Sequence, residues 1–270
     1  MEGYPYSPRP HTSVPLTPAG RPRARRRRGP PTTGRIGPVT TRRLATLHVW
    51  GVPGRSVPAA LVRMASDRRP LRRSPGLRFA KLLGTGSGRS FTVRDADPRR
   101  WALLAVWDDE RAAASFETGD VVARWQRIAD EQWSARMRPL AARGRWSRQE
   151  PFGRPWPQRW DGPVAAVTRA RLTPRKTVTF WRAVPPVSAD LHESPGLRVA
   201  LGIGEAPLGL QGTFSVWDSA AALNSFAYDR APHAAVVTRT AQEGWYAEEL
   251  FARLALLSAE GTMGGRDPLA

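Results

Sequence analysis

Four histidines and no cysteine bound the redox chemistry open to this 270-residue chain. Without thiols there are no disulfides, no zinc ribbon, no thiolate haem ligation and no cysteine nucleophile. No His-x-x-x-His pair, carboxylate cluster or nucleophile elbow is present, which argues against hydrolytic and hard-metal sites. Gly84-Thr85-Gly86-Ser87-Gly88 follows a strand but lacks the spacing and terminal Lys-Ser/Thr of a phosphate loop, so it reads as a mobile hairpin connection. His11 lies in a Pro/Arg-rich stretch and His192 in the polar turn before Ser194-Pro195-Gly196, both expected to be exposed. His48 sits mid-strand on one face with Thr46 and Trp50. His233 follows Pro232, which suits the first turn of a helix, and shares a stripe with Val236, Val237, Thr240, Ala241 and Gly244. That places its imidazole on a core-facing side. A hydrogen-bonded core histidine is the plainer reading; in a thiolate-free protein, histidine is also the natural proximal ligand of haem iron.

The elements that must hold these residues come in two copies. Ser74-Pro75-Gly76-Leu77-Arg78 recurs as Ser194-Pro195-Gly196-Leu197-Arg198, and Val106-Trp107-Asp108 and Ser115-Phe116 recur in the same order as Val216-Trp217-Asp218 and Ser225-Phe226. The first copy reads as strand 44–51, helix 57–65, strand 77–83, strand 101–107 and a helix capped at Asp108-Asp109 that runs through Phe116. A second helical stretch is predicted from Val121 to Met137, ended by Pro139. The second copy repeats the series with strand 164–172, a helix from Pro174, strands 197–203 and 212–217, and a helix over 218–228. Strand, helix, strand, strand, helix is the order of a ferredoxin-like α+β module. The expected organisation is an arm over 1–40, modules over 41–148 and 163–270, and a Pro/Trp-rich linker over 149–162. Two such sheets on one chain are expected to face each other around a shared interior. That interior is a concave apolar site that eleven tryptophans suit well, although Trp107, Trp181 and Trp217 read equally as ordinary core.

With 42 Lys+Arg against 23 Asp+Glu, the chain carries a formal charge of +19. Residues 1–40 hold eight arginines, nine prolines and one acid, too few apolar groups to offset the entropy of ordering. This arm reads as a solvated extension or as an electrostatic tether to nucleic acid or anionic lipid. Only Lys81 and Lys176 are lysines, and so strong a bias towards arginine reflects composition rather than a phosphate-binding code. No folded nucleic-acid reader is recognisable, so nucleic-acid binding through the arm ranks third among the functions considered. No apolar run reaches the ~18 residues of a membrane span and no leader follows the basic N-terminus, so a cytoplasmic protein is expected.

The runs Gly144-Arg145-Trp146-Ser147, 163–185 (PVAAVTRARLTPRKTVTFWRAVP), 196–218 (GLRVALGIGEAPLGLQGTFSVWD), 232–254 (PHAAVVTRTAQEGWYAEELFARL) and 261–269 (GTMGGRDPL) resemble the spheroidene monooxygenase family, the acyclic carotenoid 2-ketolases. The resemblance spans Leu44 to the C-terminus and implies a monooxygenase: O2-dependent oxidation of a carotenoid, haem b as oxidant and reduced ferredoxin as electron donor. The duplicated modules also resemble the dimeric α/β-barrel superfamily, some of whose members hold haem through a histidine on a helix of the C-terminal half. His233 stands in such a stretch, so the resemblance points to it as the iron ligand. Arg169 and Arg198, on strands of the second module, would then be available to a propionate or to bound oxygen, although solvated strand arginines are the simpler expectation. A lipophilic substrate implies peripheral contact with an anionic membrane. A barrel that only binds a hydrophobic ligand, without catalysis, is the second function considered.

Overall fold

A computed structural model describes residues 43–87, 95–155, 158–172, 191–205, 212–229 and 246–270. The arm, the stretch from Pro174 with Trp181, and the 230–245 stretch with His233 lie outside the described residues. Eight strands run in the order β1 Leu44–Gly51, β2 Leu77–Gly86, β3 Ala96–Trp107, β4 Glu131–Gly144, β5 Val164–Leu172, β6 Leu197–Gly204, β7 Gly212–Trp217 and β8 Tyr246–Gly261. The described helices are α1 Val57–Ser66, α2 Arg68–Arg72, α3 Glu110–Glu117, α4 Asp120–Gln126 and α5 Ala220–Asn224, the last continuing into a π-helical turn, Ser225–Asp229.

All pairings are antiparallel, and the order β1-β3-β2-β6-β7-β5-β8-β4 closes on itself. Each half contributes a four-stranded ferredoxin-like sheet in the same internal order, so the duplication read in the sequence is a structural one. The two sheets do not lie face to face as separate layers. They join edge to edge at β2–β6 and β4–β8 into one fused α/β barrel.

Those joining strands correct the expected element series. The single helix predicted from Val121 to Met137 stops at Gln126, and β4 follows. Trp133, Ala135 and Met137 alternate inward against Gln132, Ser134, Arg136 and Arg138, a period of two that belongs to a strand. Pro139 does not end a helix. It sits in β4 beyond the last rung with β1, where the β4–β8 register shifts, which accommodates a residue with no N–H. The glycine run is also not a loop up to Gly86, because Gly84, Thr85 and Gly86 pair with both β3 and β6.

The interior is a filled core rather than a cavity. Alternate residues of all eight strands point inward and interlock, among them Leu47, Phe79, Leu104, Trp133, Met137, Val167, Leu201, Phe214 and Leu254. Eight strands give a barrel just wide enough for its side chains to fill. Most of the described tryptophans lie elsewhere, in the layer between the outer sheet face and the helices. Trp50, Trp101, Trp107 and Trp125 pack there with Phe116, and Trp50 stacks on Trp125 with ring centroids 4.9 Å apart.

The repeated sequence motifs are the joints of this scaffold. Gly76 and Gly196 have φ of 73° and 78°, and a Cβ there would meet Ala112 at 2.5 Å or Ala222 at 2.8 Å. Only glycine suits both the left-handed backbone and the close helix. Each glycine carbonyl accepts from the N–H of Asp108 or Asp218, and those aspartates pair with Arg78 and Arg198 at 2.5 Å. Asp109 and Ser219 then cap α3 and α5 by accepting from the N–H groups of Ala112 and Ala222.

Candidate functional site

Two features of the second half stand out from ordinary packing. The first is a charged lock inside one mouth of the barrel. Arg169 follows Ala165 and Val167 on the inward face of β5 and is only 4% exposed. Its guanidinium donates to Glu248 at 2.5 Å and to Glu205 at 2.8 Å. Glu205 also accepts from Trp146 Nε1 and from Lys81 Nζ, both at 2.6 Å, and Lys81 donates to Ser147 Oγ at 2.6 Å. Glu248 accepts the backbone N–H groups of Ser147 and Arg148, which hold φ of 53° and 61° in a turn after Gly144. That glycine is needed because a Cβ would run into the Glu249 carbonyl.

The lock balances two cations against two carboxylates. Burial pushes Glu205 up, but the hydrogen bonds from Lys81 and Trp146 and the charges of Lys81 and Arg169 outweigh it and hold the group below its ordinary value. Burial likewise pushes Glu248 up, and the N–H groups of Arg148 and Ser147 together with Arg169 bring it below. Both carboxylates are therefore ionised near neutrality and are not proton donors. Their effect is mechanical: β2, through Lys81, β5 and the ends of β6 and β8 are tied to the turn after β4.

Sequence reasoning missed this cluster because Glu205 and Glu248 meet only through β8, which was not recognised. The alternation Ala165, Val167, Arg169 was the available signal that Arg169 points inward. Arg198 does not join it. It lies on the outer face, exposed, paired with Asp218 as Arg78 is with Asp108.

The second feature is the outer face of the second sheet. In the first half the rung Leu82–Leu103–His48 crosses β2, β3 and β1, flanked by Trp50, and all four are buried under the helices. The corresponding rung of the second half is Gly202–Thr213–Thr168, and Ala170 stands where the first half has Trp50. The next rung changes less, from Ala80–Ala105–Thr46 to Ala200–Ser215–Ala166, and Leu44 and Trp107 are matched by Val164 and Trp217. Trp217 keeps the ring contact of its counterpart, with Phe226 at 5.2 Å where Trp107 has Phe116, tilted, at 4.8 Å. Beyond that anchor a face of large rings has become a smooth floor of glycine, alanine and threonine. On β5, β6 and β7 no titratable side chain stands on these rungs, and Thr168 and Ala170 are only half-buried; β8 borders them with Phe251 beside Thr168 and Arg253 beside Ala166. Such a floor suits a flat apolar group laid on the sheet.

The described histidines do not compete for such a group. His48 lies between Trp50, stacked at 5.6 Å, and Phe116 at 6.3 Å. Its Nε2 has no hydrogen-bond partner, and burial lowers its pKa to about 4. It is a neutral core residue sealed by the aromatic layer. His192 is half-buried rather than fully exposed, with Nε2 3.1 Å from the Ser87 carbonyl oxygen. His11 and His233 lie outside the described residues. Among the described residues no group of histidine, aspartate and glutamate is arranged to hold a metal ion, and no helix is long and apolar enough to cross a membrane.

Comparison with known proteins agrees with this architecture. No model of a protein family matches the chain. The spheroidene monooxygenase of Rhodobacter capsulatus is 39% identical over 234 residues, covering 84% of this chain and 95% of the relative. That of Rubrivivax gelatinosus is 39% identical over 206 residues, covering 76% and 78%. Among solved structures, aldoxime dehydratase in complex with butyraldoxime superposes with a TM-score of 0.55 at 11% identity, over 82% of this chain and 83% of that one, a likeness of fold. By its sequence likeness to curated monooxygenases, 39% identical over 95% of the length of one and 78% of another, the chain belongs to the spheroidene monooxygenase family and is a monooxygenase.

Proposed function

We propose that this monooxygenase uses haem b, O2 and electrons from reduced ferredoxin to oxidise a carotenoid or another lipophilic polyene. The substrate class is supported by the relatives, which are named for spheroidene. The cofactor reading is carried by one observation: the same rung of the fold is Leu82–Leu103–His48 in one half and Gly202–Thr213–Thr168 in the other. Three strands lined by small uncharged residues, on a sheet otherwise copied closely, fit a large planar apolar group, with Phe251 and Arg253 of β8 at their border. His233 is the residue assigned to hold the iron, His48 being sealed in the opposite half.

When bound, haem supplies a redox-active iron at which dioxygen is reduced. The chain's own residues supply the seat. Gly202, Ala170 and Thr168 keep the floor low, Ser215 is committed to accepting from Trp217 Nε1 at 2.9 Å, and Trp217 closes one end. Behind the floor, Arg169 ties β5 to β6 and β8 through Glu205 and Glu248, so the surface on which a ligand would rest is rigid.

The test is turnover of spheroidene in detergent micelles with reduced ferredoxin and 18O-labelled dioxygen. The product should carry 18O, dependent on haem loading. Tight polyene binding without oxygen uptake under these conditions would instead identify a ligand-binding barrel.

A further inference from the structure

The solvent side of α1 is apolar where a surface helix should be polar. Ala60 and Met64 face the core, and the opposite stripe is Pro58, Leu61, Val62 and Ala65 at i, i+3, i+4 and i+7, all exposed. Leu61 is 44% and Val62 65% exposed, the two large apolar side chains that stand out into solvent among the described residues. The chain then runs directly into α2, where Arg68, Arg69, Arg72 and the following Arg73 are exposed and Leu71 is buried. None of these four arginines makes an ion pair or side-chain hydrogen bond among the described residues. The acid nearest in sequence, Asp67, is buried and paired with Arg124 at 2.7 Å. It is the one carboxylate between Val52 and Gly86. An exposed apolar ridge therefore continues into a run of four exposed arginines that make no ion pair among the described residues, the last of which, Arg73, borders a groove shared with Asp108, Asp109 and Asp120.

We infer that the α1–α2 face is a membrane-contact surface, which seats Leu61 and Val62 among the acyl chains of an anionic bilayer while Arg68, Arg69, Arg72 and Arg73 meet its headgroups. The chemistry matches interfacial helices, whose apolar side enters the headgroup boundary while cationic side chains reach back to the phosphates. A protein partner fits less well, because the ridge has no tryptophan or tyrosine of the kind that anchors protein interfaces. The surface gives a lipophilic substrate a route from the bilayer and in that sense rests on the proposed function. Its binding can nevertheless be measured with no turnover.

The experiment is co-sedimentation of the full chain with vesicles of phosphatidylcholine alone or with about one-third phosphatidylglycerol, in low and high salt. Every variant retains the N-terminal arm, so its charge is a constant background. Anionic vesicles should bind the protein far more strongly than neutral ones. Leu61→Ser/Val62→Ser should weaken that binding about tenfold, with little dependence on salt. Arg68→Gln/Arg69→Gln/Arg72→Gln/Arg73→Gln should weaken it about 600-fold in low salt, since each arginine near an anionic surface contributes about fivefold. Val62→Glu should act in the same direction as the serine pair, which guards against a fold-specific failure of either. All six positions are exposed, and unchanged thermal melts will confirm intact folds.

Vesicle binding unchanged in every variant would overturn the assignment, as would equal binding to neutral and anionic vesicles. So would a shift from oligomer to monomer on Leu61→Ser/Val62→Ser in light scattering, which would make the ridge a contact between two copies. Loss of binding to duplex DNA, rather than to vesicles, in the arginine variant would identify a polyanion site instead. Each of these outcomes leaves the haem assignment standing, and a haem-free protein would leave this one standing.

Discussion

Replacing His48 with leucine is expected to make the protein more resistant to acid without touching its chemistry. The imidazole is buried in the aromatic layer, and burial lowers its pKa from 6.5 to about 4. Glu117 opposes that shift and Arg136 adds to it, both less strongly than burial. A folded pKa below the unfolded one means the unfolded chain binds the extra proton first. The native state is therefore fully favoured above pH 6.5 and loses stability as pH falls towards 4. At pH 5 the loss from this one residue is about 2 kcal/mol, and its limit is about 3 kcal/mol. Leucine has a similar volume and removes a ring nitrogen that has no partner, so its cost at pH 7.5 should be small or negative. Urea unfolding followed by tryptophan fluorescence at pH 7.5, 6, 5.5 and 5 measures the difference between the two proteins. The variant should gain on wild type by about 2 kcal/mol between pH 7.5 and 5. Parallel curves over that range would show that His48 is not held neutral in the core, and the reasoning from burial would fail.

Breaking the charged lock should act on stability in a different pH range. Arg169→Met leaves Glu205 and Glu248 without their shared cation and should cost about 3–5 kcal/mol at pH 7, read as a lowered urea midpoint. Adding Glu205→Gln and Glu248→Gln should recover part of that loss. Because both glutamates are held below their ordinary value, the lock is fully present above pH 4.5 and is lost as pH falls through their lowered values, a step that Arg169→Met should flatten. Gly76→Ala and Gly196→Ala should each cost about 1–2 kcal/mol from the left-handed backbone alone, and Gly76→Ala the more, since its Cβ meets Ala112 at 2.5 Å. Thr168→His/Ala170→Trp, which restores the first half's residues to the second sheet, should preserve the circular dichroism spectrum and abolish haem uptake. Normal haem uptake by that variant would remove the floor from the account.

Much of the scaffold was legible because its strands are short, buried and punctuated. Leu44–Gly51, Val164–Leu172 and Gly212–Trp217 begin and end where the sequence predicts, and the helix cap expected at Asp108-Asp109 is made by Asp109. The strands that close the barrel were hidden by composition. β4 and β8 are rich in alanine, leucine, glutamate and arginine, good helix formers, and only their place between two neighbouring strands decides the outcome. The site suffered most from that loss, since Arg169 looked like a solvated strand residue until β8 brought Glu248 to it. The smooth floor was invisible for another reason. Gly202 and Thr168 say nothing singly, and they acquire meaning only when the register pairs them with Leu82 and His48 of the other half.

Where iron is held is decided most directly by one absorption measurement. Full-length protein purified after expression with ample haem supply, or titrated with haem, should show a Soret band. His233→Ala should lose or shift that band, while His48→Leu keeps it unchanged. A protein that takes up no haem would contradict the account, as would a band that survives His233→Ala and disappears in His48→Leu.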